Sequence, residues 1–500
     1  MLSIYSIKIK TFGKGSRVLL LQELLKDWPC TIAGGNYRVA VKGITENSLD
    51  VKPGFIFVAR KGKKNDGTLF IGEAINAGAV AIVIDKTTRY QSDSIPIITV
   101  PDCRLFLSHA SAELAQNPAN HLTVIAVTGT NGKTTVSHFI GQLLMMQGKR
   151  VAVIGTTGIF IDGISFNYQA PQMTTLSAEH LHPLLASCLE NGVTHVVLEA
   201  SSLGLSTYRL AHCKIDIGLL LNIGSDHYDE HGGKESYINA KKKLLLMARK
   251  VIVNRDDPVC VQMAQSVAKP CTYFGTCLDS DIRLNFEAQK LFVHCGKEHG
   301  AFSLPLLGEF NRMNAVAAIS VLHTLSYKLS SVLPYVGSLQ LPEGRMEQVN
   351  KSNITVVIDY AHTPDALQGV LCSLMKTSTG RLITIFGCGG ERDKGKRAEM
   401  GQIASFYSST VIITTDNPRN EDPIAIIDDI ISGITDSANE IIIEPNRELA
   451  IQKAVNMADA GDIVLIAGKG HEKIQHTAEG TFPFSDMKIA KQALLRKEGN

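Results

Sequence analysis

Leu122-Thr123-Val124-Ile125-Ala126-Val127-Thr128-Gly129-Thr130-Asn131-Gly132-Lys133-Thr134-Thr135-Val136 decides the fold of this chain. Its first half, Leu122–Val127, is an apolar run broken only by Thr123, the pattern of a strand buried on both faces of a parallel sheet. A glycine-containing loop follows, and Val136–Met146 then repeats apolar residues at helical spacing. Strand, loop and helix in that order make an anion site, because the free N–H groups and the dipole of a helix N-terminus point into the loop. Gly129 and Gly132 let the backbone approach a phosphate closely. Lys133 can neutralise β/γ oxygens and Thr134 can ligate Mg²⁺, with Thr130, Asn131 and Thr135 completing the loop. The spacing departs from the common GxxxxGK[ST] pattern, since Val127 stands where the first glycine would be. A glycine turn before a core helix is the plainer alternative, and the ordered Gly-Lys-Thr-Thr argues against it.

On either side of this stretch the chain divides into blocks. Residues 41–118 alternate short apolar runs with glycine turns and read as a small α/β domain. Gln116-Asn117-Pro118-Ala119-Asn120 is polar with a proline, a linker pattern. The central block continues with expected strands at Arg150–Ile154, His195–Leu198 and Ile217–Leu221, and a helix at Met313–Leu325. Leu341-Pro342-Glu343-Gly344-Arg345 reads as a second linker. Beyond it come five strand-like runs, Ile354–Ile358, Leu382–Phe386, Val411–Thr414, Ile441–Ile443 and Ile463–Ile466, separated by helix-length segments. That alternation implies a parallel sheet of Rossmann type. The expected fold is α/β in three domains, 1–118, 119–340 and 341–500, with a central P-loop ATPase-type parallel sheet and a C-terminal Rossmann-like domain.

Length and composition agree with this: 500 residues, 44% hydrophobic and 20% charged, are ordinary for several globular domains. A net charge of +2 makes no electrostatic case for nucleic acid or an anionic membrane. No apolar run approaches a membrane span, and the N-terminus lacks a signal peptide's apolar stretch. The ten cysteines contain no CxxC pair, so neither a zinc framework nor a disulfide scaffold is expected. Free thiols fit a reducing cytoplasm.

Two more groups of residues carry chemistry. Glu199 follows the apolar run Val196–Leu198, and Asn222, Asp226 and His227 follow another strand. In open α/β sheets that carboxyl edge faces the ligand. A carboxylate and an imidazole there suit a Mg²⁺ or phosphate site. Each also has a bland alternative, since a lone histidine is often structural and Lys241, in a Lys-Lys-Lys run, reads as a solvated helix face. In the C-terminal block all five strand ends are polar: Asp359-Tyr360-Ala361-His362, Gly387–Asp393, Asp416-Asn417-Pro418-Arg419, Glu444–Arg447 and Gly468-Lys469-Gly470-His471-Glu472. Arginine and glutamate on one edge suit a zwitterion such as an amino acid: the guanidinium fork holds a carboxylate and Glu472 can pair an ammonium. The alternative is solvated loops that cap the sheet.

The ordered set Thr128–Thr135, Glu199-Ala200-Ser201-Ser202, Asp226-His227, Tyr237–Lys241, Gly308–Asn314, Gly344-Arg345-Met346-Glu347, Asp359–Pro364 and Gly468–Glu472 resembles the Mur ligases of peptidoglycan synthesis, from about residue 43 to the C-terminus. The resemblance implies an ATP-dependent amide ligase with Mg²⁺ that works through an acyl phosphate. It implies Lys133 and the loop amides on the phosphates, Thr134 and Glu199 on one Mg²⁺, and Glu199, His227 and a carbamylated Lys241 on a second. Asn314 would face adenine, Asp359 ribose and Arg345 the γ-phosphate. Asp416-Asn417-Pro418-Arg419 is similar to the stretch of members that take meso-diaminopimelate rather than lysine, and Arg419 offers a cation for the extra carboxylate. Arg392, Asn417, Gly468 and Glu472 match the other amino-acid contacts. Ser48, Thr174, Thr175, Ser201 and Arg209 match contacts to a UDP-muramoyl-dipeptide acceptor. A cytoplasmic monomer acting on small molecules is expected.

The departures cluster on the acceptor side. Asn47-Ser48-Leu49 stands where Asp-Ser-Arg is usual, Leu176 for a proline, Leu203 for a histidine and Thr207 for a glutamine. Tyr228-Asp229-Glu230-His231 has Glu230 in place of an aromatic. A paralogue joining diaminopimelate, or a related amino acid, to another carboxylate therefore stays open. A folylpolyglutamate-synthase-like ligase would share the ATP module but not the Asp-Asn-Pro-Arg and Gly-Lys-Gly-His-Glu pair. A non-catalytic nucleotide-binding protein would have no use for Lys133, Glu199, His227 and Lys241.

Overall fold

Val124, Ile125, Ala126 and Val127 have no exposed surface, which is why four apolar residues in a row can form the strand Thr123–Thr128 without alternation. The computed structural model describes residues 18–62, 65–224, 226, 228–287, 290–435 and 439–498. They fall into two units. The first holds residues up to Thr128, Leu144–Leu219 and Ala240–Val251; the second holds Gly129–Leu143, Leu220–Asn239 and everything from Ile252 on.

In the first unit a five-stranded sheet runs in the order Thr31–Ala33, Ile97–Val100, Ala81–Asp85, Phe55–Val58, Gly43–Thr45, parallel except for the first pair. Its strands obey the period of two. Ile56 and Val58 pack with Phe106 and Leu107 of the helix Cys103–Leu114 on one face, and Phe57 packs with Ile71 and Ala74 on the other. This sheet begins ten residues before the first expected strand region, because Thr31–Ala33 is exposed throughout and lacks an apolar pattern. The same unit holds the strands Val151–Gly155, His195–Glu199 and Thr123–Thr128, paired in parallel in that order, with the hairpin Gly158–Ile161 and Ile164–Ser165 on the outer edge.

The second unit carries the C-terminal sheet, ordered Glu347–Lys351, Ile354–Asp359, Ile463–Ala467, Leu382–Phe386, Thr410–Ile413, Glu440–Ile443. The last five strands are parallel and are the five expected ones; the first is antiparallel. Helices Pro364–Met375, Gly395–Tyr407 and Pro423–Ile431 cover one face, and Arg447–Met457 and Asp486–Glu498 the other. Parallel strands with helices on both faces put all five polar strand ends on one edge. Cys271–Gly275, paired in parallel with Ile282–Glu287, and the antiparallel strands Ile282–Glu287, Lys290–Cys295 and Glu298–Phe302 also belong to this unit, beside the helix Phe310–Thr324. A further helix, Leu329–Val336, follows that one. Among the described residues no helix is long and apolar enough to cross a membrane.

Candidate active site

The helix after the glycine loop starts at Lys133, three residues earlier than its apolar spacing indicates. Gly132 is the reason: its φ of 85° turns the chain, and a Cβ there would lie 2.8 Å from Asn314 Oδ1. Only glycine accepts that conformation and that approach. The loop is clamped from Asn222, which accepts from Asn131 N–H at 2.8 Å and donates to Asn131 C=O at 3.1 Å. Thr130 Oγ1 meets Tyr237 OH at 2.8 Å and accepts from Gly224 N–H at 2.8 Å. Lys133 Nζ lies inside the curve, donating to the carbonyls of Gly129 (2.8 Å) and Thr130 (2.9 Å). Arg345 Nη2 donates to Thr134 Oγ1 at 3.2 Å while its guanidinium lies over the Tyr360 ring, 4.5 Å from the centroid. Its Nε is buried with no hydrogen-bond partner among the described residues. A fixed cation with an unmet donor at a helix start suits a phosphate oxygen. Asn314 donates to Asn311 Oδ1 at 3.0 Å. Asp359 accepts from Met346 and Ala361 N–H, each at 2.8 Å, so its carboxylate braces the backbone that carries Arg345. Burial pushes its pKa up, opposed by Arg345 and the two N–H groups.

In the first unit, three expected site residues, Glu199, Ser201 and Arg209, meet around a fourth, Thr175. Thr175 Oγ1 donates to Glu199 C=O at 2.8 Å, accepts from Ser201 N–H at 2.9 Å and lies 3.0 Å from Ser201 Oγ. Arg209 Nη1 donates to Thr175 C=O at 2.7 Å. The Glu199 carboxylate, 1% exposed, accepts from Thr156 N–H (3.0 Å) and Oγ (2.9 Å), and Thr156 Oγ1 lies 3.1 Å from Thr174 Oγ1. Thr156 was not anticipated, although it follows the strand Val151–Gly155 as the carboxyl-edge rule requires. Ser48 is half-buried in the turn Ser48–Asp50, capped by Asn47, and Leu49 beside it is 87% exposed. Nearby charge is denser than expected. Arg60 pairs with Glu46, and the Glu179 side chain, 8% exposed, has an Oε2 with no partner among the described residues. Burial, then the like charge of Glu46, pushes the Glu179 carboxyl up to about 7.

At the C-terminal sheet edge the amino-acid group forms a network. Asn417 Nδ2 donates to Glu472 Oε2 at 2.8 Å, and the fully buried Lys469 Nζ donates to Asn417 Oδ1 and Glu472 Oε2, both at 2.9 Å. The ammonium beside Glu472 is thus one of the protein's own, that of Lys469. Burial would raise the Glu472 pKa, yet Lys469 and Asn417 outweigh it and hold it low. Arg419 Nη1 donates to Gly390 C=O at 2.6 Å. Gly468 has φ 111° and faces Asp416: a Cβ there would lie 2.6 Å from Asp416 Oδ2, which ties the Gly-Lys-Gly-His-Glu and Asp-Asn-Pro-Arg stretches to each other. Arg392 Nη1 donates to Glu230 Oε1 at 2.7 Å.

For a metal, the protein offers hard oxygens in small number. In the second unit Thr134 carries a hydroxyl; in the first unit Glu199 carries a carboxylate, and Lys241 is 1% exposed rather than a solvated face. His227 lies outside the described residues. Among the described residues no three His, Cys, Asp or Glu side chains are grouped to hold an ion. Few protein ligands supplemented by phosphate oxygens is how Mg²⁺ is ordinarily bound.

Three family models match the chain: Mur ligase family, catalytic domain, over residues 40–116; Mur ligase middle domain over 127–322; and Mur ligase, glutamate ligase domain over 344–470. A curated relative from Aquifex aeolicus, named UDP-N-acetylmuramoyl-L-alanyl-D-glutamate–2,6-diaminopimelate ligase, is 38% identical over 460 residues, covering 91% of this chain and 94% of the relative. A relative of the same name from Syntrophomonas wolfei is 34% identical over 490 residues, covering 95% and 99%. A solved structure of a ligase of that name superposes with a TM-score of 0.66 at 32% identity, covering 96% of this chain and 100% of the other.

Proposed function

The chain belongs to the Mur ligase family, and from that premise we propose that it adds meso-diaminopimelate to the D-glutamate carboxylate of UDP-N-acetylmuramoyl-L-Ala-D-Glu, with ATP, in peptidoglycan precursor synthesis. The observation that carries this reading is the helix start furnished with Lys133, Thr134 and Arg345, where Arg345 meets Thr134 Oγ1 at 3.2 Å and keeps an unmet donor.

The acceptor carboxylate oxygen attacks the γ-phosphorus of ATP, ADP leaves, and an acyl phosphate results. The diaminopimelate amine attacks its carbonyl carbon; the tetrahedral adduct expels phosphate and the nitrogen loses its proton to water. Positioning and charge neutralisation are the protein's contribution. In this reading Lys133, the loop amides of 129–135 and Arg345 hold the phosphates, Asn314 faces adenine and Asp359 the ribose. Thr174, Thr175, Ser201, Arg209 and Ser48 hold the acceptor. Arg392, Asp416, Asn417, Arg419, Gly468 and Glu472 hold the amino acid. Thr134 and Glu199, with His227 and a carbamylated Lys241, would hold Mg²⁺. The ion would supply neutralisation of the phosphate charge. The domains are assigned as 1–118 for the acceptor, 119–340 for ATP and 341–500 for the amino acid, in a cytoplasmic monomer with no nucleic-acid or membrane partner.

The test gives purified protein Mg²⁺-ATP and UDP-N-acetylmuramoyl-L-Ala-D-Glu with either meso-diaminopimelate or L-lysine, and follows phosphate release and product mass. Turnover with diaminopimelate is expected, with Lys133→Ala slower by about 10²–10³-fold. No turnover with either amino acid sinks the reading in favour of a different acceptor. Preference for lysine sinks only the role given to Arg419.

A further inference from the structure

Arg392 and Arg419 come together at Gly389: a Cβ on that glycine would lie 3.2 Å from Arg419 Nη1 and 3.6 Å from Arg392 Cγ. The stem of Arg392 and the guanidinium of Arg419 thus approach one loop, and two like charges that act on each other call for an anion. Arg419 already spends Nη1 on the carbonyls of Gly390 and Asn417. Its pKa is lowered by burial and then by Arg392, which reports the same crowding. Arg392 has found a carboxylate, Glu230 Oε1 at 2.7 Å, supplied from the segment after Asp226 in sequence. The Glu230 side chain is 25% exposed and that of Arg392 46%, so water reaches the pair and it can exchange. Residue 230 is also where this chain carries a glutamate in place of an aromatic.

We propose that Glu230 is a latch on the amino-acid site: its carboxylate occupies Arg392 as a stand-in for the substrate's, and the amino acid must displace it to bind. This rests on the reading of Arg392 as an amino-acid contact. A latch of this kind reduces apparent affinity by the fraction of molecules in which it is closed, and leaves the chemical step alone.

Two measurements on full-length protein decide this. In steady-state ligation, Glu230→Gln is expected to lower KM for diaminopimelate about two- to fivefold, the range of an exchangeable ion pair, with kcat and the KM values for ATP and acceptor within experimental spread. In the absence of substrates, phenylglyoxal modification of Arg392, followed by peptide mass mapping, is expected to run faster in Glu230→Gln than in the parent. Equal modification rates overturn the latch. Faster modification with an unchanged or higher KM overturns the competition. A parent enzyme inactive with diaminopimelate overturns the function reading alone, and the modification rates still decide whether Glu230 covers Arg392.

Discussion

Glu179 shows what a single residue can add to a site whose outline is already set. Its side chain is 8% exposed and its Oε2 has no partner among the described residues, while Glu46 adds a like charge. The carboxyl's pKa is pushed up from 4.5 to about 7. Between those values the folded protein keeps a proton that the unfolded chain has released, so stability falls as pH rises and the loss is complete above about 7. The shift amounts to about 3 kcal/mol. Glu179→Gln removes the titration. It is expected to raise the unfolding midpoint at pH 8 and leave it nearly unchanged at pH 4.5, followed by scanning fluorimetry at both values. An equal gain at both would mean the glutamate is costly for its shape rather than its charge. Glu199, 1% exposed, differs in its partners: Thr156 donates to both of its oxygens.

Helix ends do the same work among the elements. Arg447, at the first turn of Arg447–Met457, and Asp486, at the first turn of Asp486–Glu498, form an ion pair with no exposed surface, at 2.8 Å. Arg447 also donates to the carbonyls of Thr415 (3.2 Å) and Ala467 (2.9 Å), at the ends of the strands Thr410–Ile413 and Ile463–Ala467 that flank Leu382–Phe386. Two helices and the sheet edge are thereby locked in register behind Asp416 and Gly468. Asp486→Ala leaves the guanidinium buried without its counter-ion and is expected to cost about 3–5 kcal/mol. The unfolding midpoint reports this, and KM for the amino acid is expected to rise with it, because the strand ends lose their backing. A midpoint within a degree of the parent's would contradict the assignment. The edge strand Glu347–Lys351 was missed from sequence for a plain reason: it is half-exposed along its length, so its side chains alternate between polar types and carry no apolar period.

For the molecule as a whole, the second unit contains both the phosphate loop and the C-terminal sheet. Arg345 and Thr134 are 211 residues apart in sequence and hydrogen-bonded in space. A nucleotide held by both strengthens that unit, since a ligand that binds only the folded state stabilises by about 2.7 kcal/mol at a hundredfold excess over its Kd. A non-hydrolysable ATP analogue with Mg²⁺ is expected to raise the unfolding midpoint of the parent, and Arg345→Ala to lose most of that gain without changing the midpoint of the unliganded protein by a comparable amount. An undiminished gain in Arg345→Ala would remove Arg345 from the nucleotide site.

The strands Thr123–Thr128 and Ile463–Ala467, the glycine loop, and the polar strand ends were legible in the residues themselves, because each is written in a local pattern: burial on both faces, a turn only glycine can make, a change from apolar to polar within one step. The sequence by itself therefore determined the α/β class, the strand–loop–helix at Lys133 and the edge on which the polar strand ends of the C-terminal sheet lie. Only the tertiary structure decided that Lys469 neutralises Glu472, that Thr156 holds Glu199, that Arg345 reaches Thr134, and that Glu230 covers Arg392 from 162 positions away. Charged side chains take their partners from wherever the chain returns, and no periodicity along the backbone records that return.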